Sequence, residues 1–145
     1  MKKKGSILIE VIASLAMLSL IVTFAVSTHI HNNNVLKERQ LSEEVDRAVY
    51  NLMNEIKYNF SIDEVKELLR YKEIGLKFDH DFSKQFLYKH VNDFIKGDDI
   101  KISLVEEKNS EIIILINTFI KKENYEVNID KTFSKCWWME NVGNV

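Results

Sequence analysis

The apolar and polar positions of this chain fall into three regimes. From Ile7 to Val26 the sequence is almost continuously apolar, and Glu10 is its one charged residue. About twenty such residues, at a rise of about 1.5 Å each, suffice to cross a bilayer core of roughly 30 Å as a helix. The polar stretch Thr28-His29-Ile30-His31-Asn32-Asn33-Asn34 follows, and its asparagines predict a weak or bent point. Beyond it, Leu41, Val45, Ala48, Val49, Leu52, Met53, Ile56 and Phe60 recur at steps of three and four, an apolar stripe on one helical face. If the asparagines do not break it, a single helix runs from about Ile7 to Tyr58, about 75–80 Å. Its first half is apolar all round and its second half is one-sided. That split suits a helix that lies half in lipid or among other helices and half on a globular head.

The next segment predicts two short helices. Ser61-Ile62-Asp63-Glu64 reads as a capping box, opening a helix over about Ile62 to Ile74 that buries Ile62, Val65 and Leu69 and stops at Gly75. Asp81 is the expected cap of a second helix, whose stripe is Phe82, Phe86, Leu87, Val91, Phe94 and Ile95 and whose end is Gly97. From Ile100 the period changes to two. Ile100, Ile102 and Leu104 alternate with polar residues. Ile112 to Ile120 is apolar on both faces apart from Asn117 and Thr118, and so is the expected central strand. Tyr125, Val127 and Ile129 alternate with Glu126, Asn128 and Asp130. Glu107–Ser110 and Lys121–Asn124 are the turns, so the three strands form an antiparallel meander. The expected fold class is α+β: a long N-terminal helix packed on a small antiparallel sheet, with two short helices between. In the tail, Trp137 and Trp138 are expected to close an edge of the core, the alternative being an exposed contact patch.

Composition narrows the picture a little. One hundred and forty-five residues suit one domain plus an anchor, and the formal charge of −2 points to no nucleic-acid partner. Cys136 is the single cysteine, so no disulfide forms within the chain, and a buried thiol without chemical role is expected there. The chain has no proline. Asp79-His80-Asp81 and Gly97-Asp98-Asp99 lack the spacing of a calcium loop and read as caps and turns. His29, His31, His80 and His90 show no catalytic or zinc-binding spacing, and no nucleophile or phosphate-loop motif is present. The expectation is a non-enzyme with no catalytic residues, metal or cofactor.

The first residues carry the most specific pattern. Lys2, Lys3 and Lys4 precede Gly5, and Glu10 then interrupts the apolar run. A carboxylate within a membrane span costs about 2.5–3.5 kcal/mol on insertion scales and marks function with a partner. The basic residues place the N-terminus in the cytoplasm and the rest outside. Lys2–Gly5 with Leu8-Ile9-Glu10 resembles the leader of type IV prepilins and type II secretion pseudopilins, a basic leader ending in glycine with glutamate fifth in the mature chain. Ser6 and Ile7 depart from that pattern, which usually has Phe and then Thr or Ser.

The resemblance implies a leader over residues 1–5, a transmembrane or filament-core helix over 6–30, and an extracytoplasmic head over 31–145 that includes the amphipathic half of the helix. It implies cleavage between Gly5 and Ser6 by a prepilin peptidase, N-methylation of Ser6, and Glu10 as an assembly contact. Its partners are other pilin or pseudopilin subunits, the peptidase, an inner-membrane assembly platform and membrane lipid. The protein would sit in the cell membrane and then in a pilus or pseudopilus serving secretion, DNA uptake or adhesion. The missing proline, Ser6 and the likeness of Leu41–Asn59 to minor pseudopilins imply a minor subunit. Three other readings compete: a secretory signal cut near Ala25-Val26-Ser27, a signal anchor carrying a non-polymerising extracellular binding module, and a buried helix of a soluble protein.

Overall fold

The computed structural model describes residues 3–79, 81–86, 88–108, 110–122 and 125–141. The chain divides into two compact units, Met1–Arg39 and Gln40–Val145. Helix α1 spans Lys3–Asn54, and its helical assignment is uninterrupted through His31–Asn34. The asparagines therefore do not end the helix; locally, the Asn33 amide meets His29 Nε2 at 3.1 Å, one turn back along the same face.

In the first unit every described side chain of α1 is exposed, including Ile9, Ile12, Leu18, Leu20, Ile21 and Phe24. In the second unit α1 is amphipathic as expected. Leu41, Val45, Ala48, Val49, Leu52, Ile56 and Phe60 are buried, whereas Tyr50 and Asn51 are exposed. The helix does not finish as an α-helix: Glu55–Asn59 forms a π-turn before Phe60 becomes extended.

Ser61 then caps α2, Ile62–Leu68, through the expected box: its hydroxyl accepts from the Glu64 amide at 3.1 Å, and Glu64 Oε2 accepts from the Ser61 amide at 2.7 Å. Val65 and Leu69 are buried and Ile62 is half-buried. The helix is shorter than the sequence suggests. Lys72 adopts a left-handed φ of 70°, and Glu73–Leu76 is a strand, β1. Gly75 consequently serves close approach rather than helix termination. Its carbonyl accepts from the Gly97 amide at 3.2 Å, and a Cβ on Gly75 would collide with the Gly97 carbonyl oxygen.

The second expected helix is also curtailed. α3 covers only Phe82–Gln85, and Val91–Asp93 is a single 3-10 turn. Asp81 occupies the cap position without a capping bond from its side chain, which instead pairs with Lys84 at 2.8 Å. Aromatic packing explains the difference: Phe94 meets Phe82 and Phe86 at ring distances of 5.2 and 4.9 Å, and it reaches them from extended backbone. Phe82, Val91 and Phe94 are buried and Phe86 half-buried, but Ile95 is exposed; Leu87 lies outside the described residues.

The meander forms as expected from β2 (Ile100–Lys108), β3 (Glu111–Lys122) and β4 (Tyr125–Cys136). With β1 it makes a four-stranded antiparallel sheet in the order β1-β2-β3-β4. Val105 is the extra residue of a bulge between Leu104 and Glu106. Ile112, Ile114, Ile116, Thr118 and Ile120 of β3 are buried in alternation, and the four isoleucines share one cluster with the α1 stripe, Ile100, Ile102, Val127 and Phe133. Fully burying a Leu- or Ile-sized side chain contributes about 1.5–3 kcal/mol, so this contact dominates the stability of the unit.

Two predictions follow from this packing. Ser61→Ala should lower the stability of the second unit by about 1 kcal/mol at neutral pH. The backbone and side-chain hydrogen bonds of Ser61 hold the Glu64 carboxyl below its ordinary pKa, so their contribution is present above the usual glutamate range and fades as pH falls through the lowered value. Urea titrations should show wild-type stability falling across the acid range, and the variant, which keeps the Ser61 amide that donates to the Glu64 carboxylate, should retain most of that dependence. Thr118 is wholly buried, and its hydroxyl has no hydrogen-bond partner among the described residues. Thr118→Val keeps the shape and removes the stranded donor, so the urea midpoint should rise, by about 1 kcal/mol in stability.

Candidate functional site

The N-terminal part of α1 presents an apolar surface in every direction, which no element of its own unit covers. α1 is long and apolar enough to cross a membrane. A surface of that extent suits lipid or a bundle of helices better than water.

Gly5 and Ser6 both lie within the helical backbone of α1, and Lys2 lies outside the described residues. Glu10 is exposed on the same helix. Ile7, Glu10, Val11, Ser14, Leu15 and Leu18 line one shallow groove along a single face, as their spacing of three and four requires. The Ser14 hydroxyl is turned inward onto the helix, donating to the Glu10 carbonyl at 2.8 Å, so it offers nothing to the Glu10 carboxylate. Among the described residues no cation pairs with that carboxylate. Among the described residues Glu10 thus stands as an acid in an apolar surface without a counter-charge.

The other candidates raised by the sequence have structural roles. Asp79 Oδ1 accepts from the Asp81 amide at 3.1 Å, and both Asp79 oxygens accept from Gln85 Nε2. Asp99 Oδ2 accepts from the Phe78 amide at 2.9 Å. These are turn contacts, in line with the sequence reading. Among the described residues no three His, Cys, Asp or Glu side chains gather where they could hold a metal ion. His80 lies outside the described residues. A groove of about 780 Å³ between α2, β1 and the 90–96 segment has Phe60, Leu68 and Ile74 on its walls and Glu64, Glu67, Glu73 and Asp93 around them.

The tail departs from expectation. Trp137 and Trp138 are 61% and 55% exposed, in a 3-10 turn over Trp137–Asn141, while Met139 takes the buried place at the core edge. Cys136 is half-buried rather than buried. The inward positions of β4 run Phe133 then Lys135, so alternation spends the last inward place on a lysine, and the strand ends before either tryptophan can turn in.

Lys135 makes a structural contact that no motif in the sequence announces. It is wholly buried, and its ammonium donates to the Lys57 carbonyl at 2.8 Å, inside the π-turn. Carbonyls at a helix C-terminus lack intrahelical donors and carry partial negative charge, which a cation satisfies. The signal was available in the Phe133, Lys135 alternation; nothing in the sequence marks the π-turn itself. Lys135→Met keeps the aliphatic stem and removes the donor, and should cost about 1–3 kcal/mol. Urea denaturation should register the loss, and hydrogen exchange should show it concentrated in the amides of 55–60.

No protein-family model matches this chain, and no curated protein or solved structure is significantly similar to it. Its class therefore rests on architecture: an α+β protein whose long N-terminal helix supplies both an uncovered apolar segment and the inner layer of a sheet-covered head.

Proposed function

We propose that this protein is a structural subunit, minor in abundance, of a type IV pilus or pseudopilus. The observation that carries the reading is Glu10: a carboxylate on the all-round apolar part of α1, five residues beyond Gly5, with no counter-charge among the described residues. Such a group is tolerated in an apolar environment when another chain answers it.

On this reading a prepilin peptidase cuts between Gly5 and Ser6, and Ser6 becomes the methylated N-terminus. Its amine lies one helical turn from Glu10. In a packed bundle of such helices, the amine of one subunit meets the acid of the next. At an effective dielectric constant of about 20, unit charges 4 Å apart attract by about 4 kcal/mol before desolvation. Leaving one member unpaired is strongly unfavourable, so the pair sets the register of a subunit along the filament axis. Membrane lipid holds the precursor, with its N-terminus cytoplasmic, until the assembly platform hands it to other pilin subunits.

Intact mass of the membrane-borne protein tests the processing step. A mature chain beginning at methylated Ser6 supports the proposal, and a start near Ser27 or Thr28 identifies a secretory signal and defeats it. Glu10→Ala tests the assembly step. The variant should insert in the membrane at least as well as wild type, because an apolar helix without an acid partitions more readily. Its crosslinking to the other pilins of its system should fall by about tenfold or more, the loss of roughly 1.4 kcal/mol or more of pairing. Undiminished crosslinking would favour a membrane-anchored binding module that does not polymerise.

A further inference from the structure

We propose that a groove at the C-terminal end of α1 is a binding site for a neutral carbohydrate. The groove holds about 400 Å³, within the range of small-ligand sites, and lies between the end of α1 and α3. Asn51, Asn54 and Glu55 line it from the helix, Tyr58 and Asn59 from the π-turn, and Ser83 and Phe86 from α3.

The wet face of the helix changes character at this point. Up to Arg47 it carries ions: Glu38, Arg39, Glu43, Glu44, Asp46 and Arg47. From Tyr50 to Asn59 amides and phenols join the ions Glu55 and Lys57, with Asn51, Asn54, Glu55, Tyr58 and Asn59 on the groove side. Asparagine is among the weaker helix formers, so a stripe of three is not explained by the stability of the helix. Nor does the core use them, since Asn51 and Asn59 are exposed. The π-turn is a second, independent feature. Such turns disturb the helical ladder and are found frequently at functional sites. This one carries Tyr58 and Asn59, and the buried Lys135 ammonium holds it through the Lys57 carbonyl.

The lining selects the ligand class. Side-chain amides, a carboxylate and a hydroxyl offer both donors and acceptors, which an array of sugar hydroxyls requires. Asn59 Nδ2 donates to Glu55 Oε2 at 2.6 Å, which fixes both side chains and leaves the second Glu55 oxygen to accept from a hydroxyl. Tyr58 and Phe86 supply aromatic surface for the apolar face of a sugar ring. Phe86 is held by Phe82 at 5.5 Å and Phe94 at 4.9 Å, and Tyr58 by the Lys57 ammonium 5.7 Å from its ring centre. Among the described residues no lysine or arginine lines the groove itself, the Lys57 ammonium is engaged over the Tyr58 ring beside it, and Glu55 is the one ion on the lining, so nothing there is arranged to pair with phosphate or acidic sugars. A single carboxylate is too few for a metal ion. The inference does not depend on filament assembly; a tip subunit and an anchored module would use the site alike.

The test uses the full chain in phosphatidylcholine nanodiscs, avoiding alkyl-glycoside detergents, which would compete. Saturation-transfer NMR is run against a panel of neutral malto-, cello-, chito- and galacto-oligosaccharides and of sialylated and sulfated glycans. At least one neutral oligosaccharide should bind and the acidic ones should not. Tyr58→Ala should weaken that binding by about tenfold. Asn51→Arg, at an exposed position that leaves the fold intact by circular dichroism, should block it to a similar degree. Absence of binding across the neutral panel, binding confined to acidic glycans, or binding unchanged in both variants overturns the proposal.

Discussion

The second unit of this protein depends on one contact, the apolar stripe of α1 against the inner face of the sheet. Val45, Ala48, Val49, Leu52 and Ile56 are fully buried, and so are Ile112, Ile114 and Ile116 of β3. Helical stability in a protein comes mostly from packing an amphipathic face, and a sheet with one apolar face must bury it against another element, so each layer supports the other. The smaller elements are arranged around that contact. The Phe78, Phe82, Phe86 and Phe94 rings pack against one another and extend the cluster, β1 widens the sheet, and Lys135 secures the last turn of the helix. Exposed ion pairs such as Lys66–Glu107 at 2.7 Å and Lys131–Asp46 at 3.1 Å link elements but contribute little beside buried area.

The same helix meets the opposite requirement in its first part. There the apolar residues encircle it, and within their own unit they have nothing to pack on. A sequence that keeps one side polar from Gln40 onward and abandons polarity before Val26 puts two kinds of surface on one helix, the first long and apolar enough to cross a membrane. Glu10 is the one charged residue between Ile7 and Val26, and the filament reading proposed above rests on it.

Long, strongly periodic segments were legible in the sequence and short ones were not. The α1 stripe, the Ser61–Glu64 box and the three meander strands were readable because each repeats a signal over many residues or pairs it reciprocally. The segment from Leu69 to Lys96 was misread as two longer helices. Its apolar spacing fits a helix, yet the same residues are buried from a strand and from extended loops once tertiary contacts decide. Gly75 and Gly97 look like helix stops in sequence, and only the fold reveals that Gly97 lies against Gly75 of β1. The two tryptophans show an end effect: Lys135 takes the last inward place of β4, the strand stops at Cys136, and the 3-10 turn that follows buries Met139 instead. Gly5, Ser6 and Glu10 were readable as a pattern, whereas the groove around Asn59 was not, because its residues come together through a π-turn and α3.

If one helix serves two environments, its halves should lose protection independently. Hydrogen exchange followed by mass spectrometry on the full chain in lipid nanodiscs, over a urea series, measures this directly. The account predicts that amides of Val45–Ile56 exchange together with those of β2, β3 and β4 as the sheet unfolds. Those of Ile7–Val26 should stay protected at the same urea concentration. Continued protection of Val45–Ile56 after the sheet has exchanged, or loss of Ile7–Val26 in the same step, would contradict it.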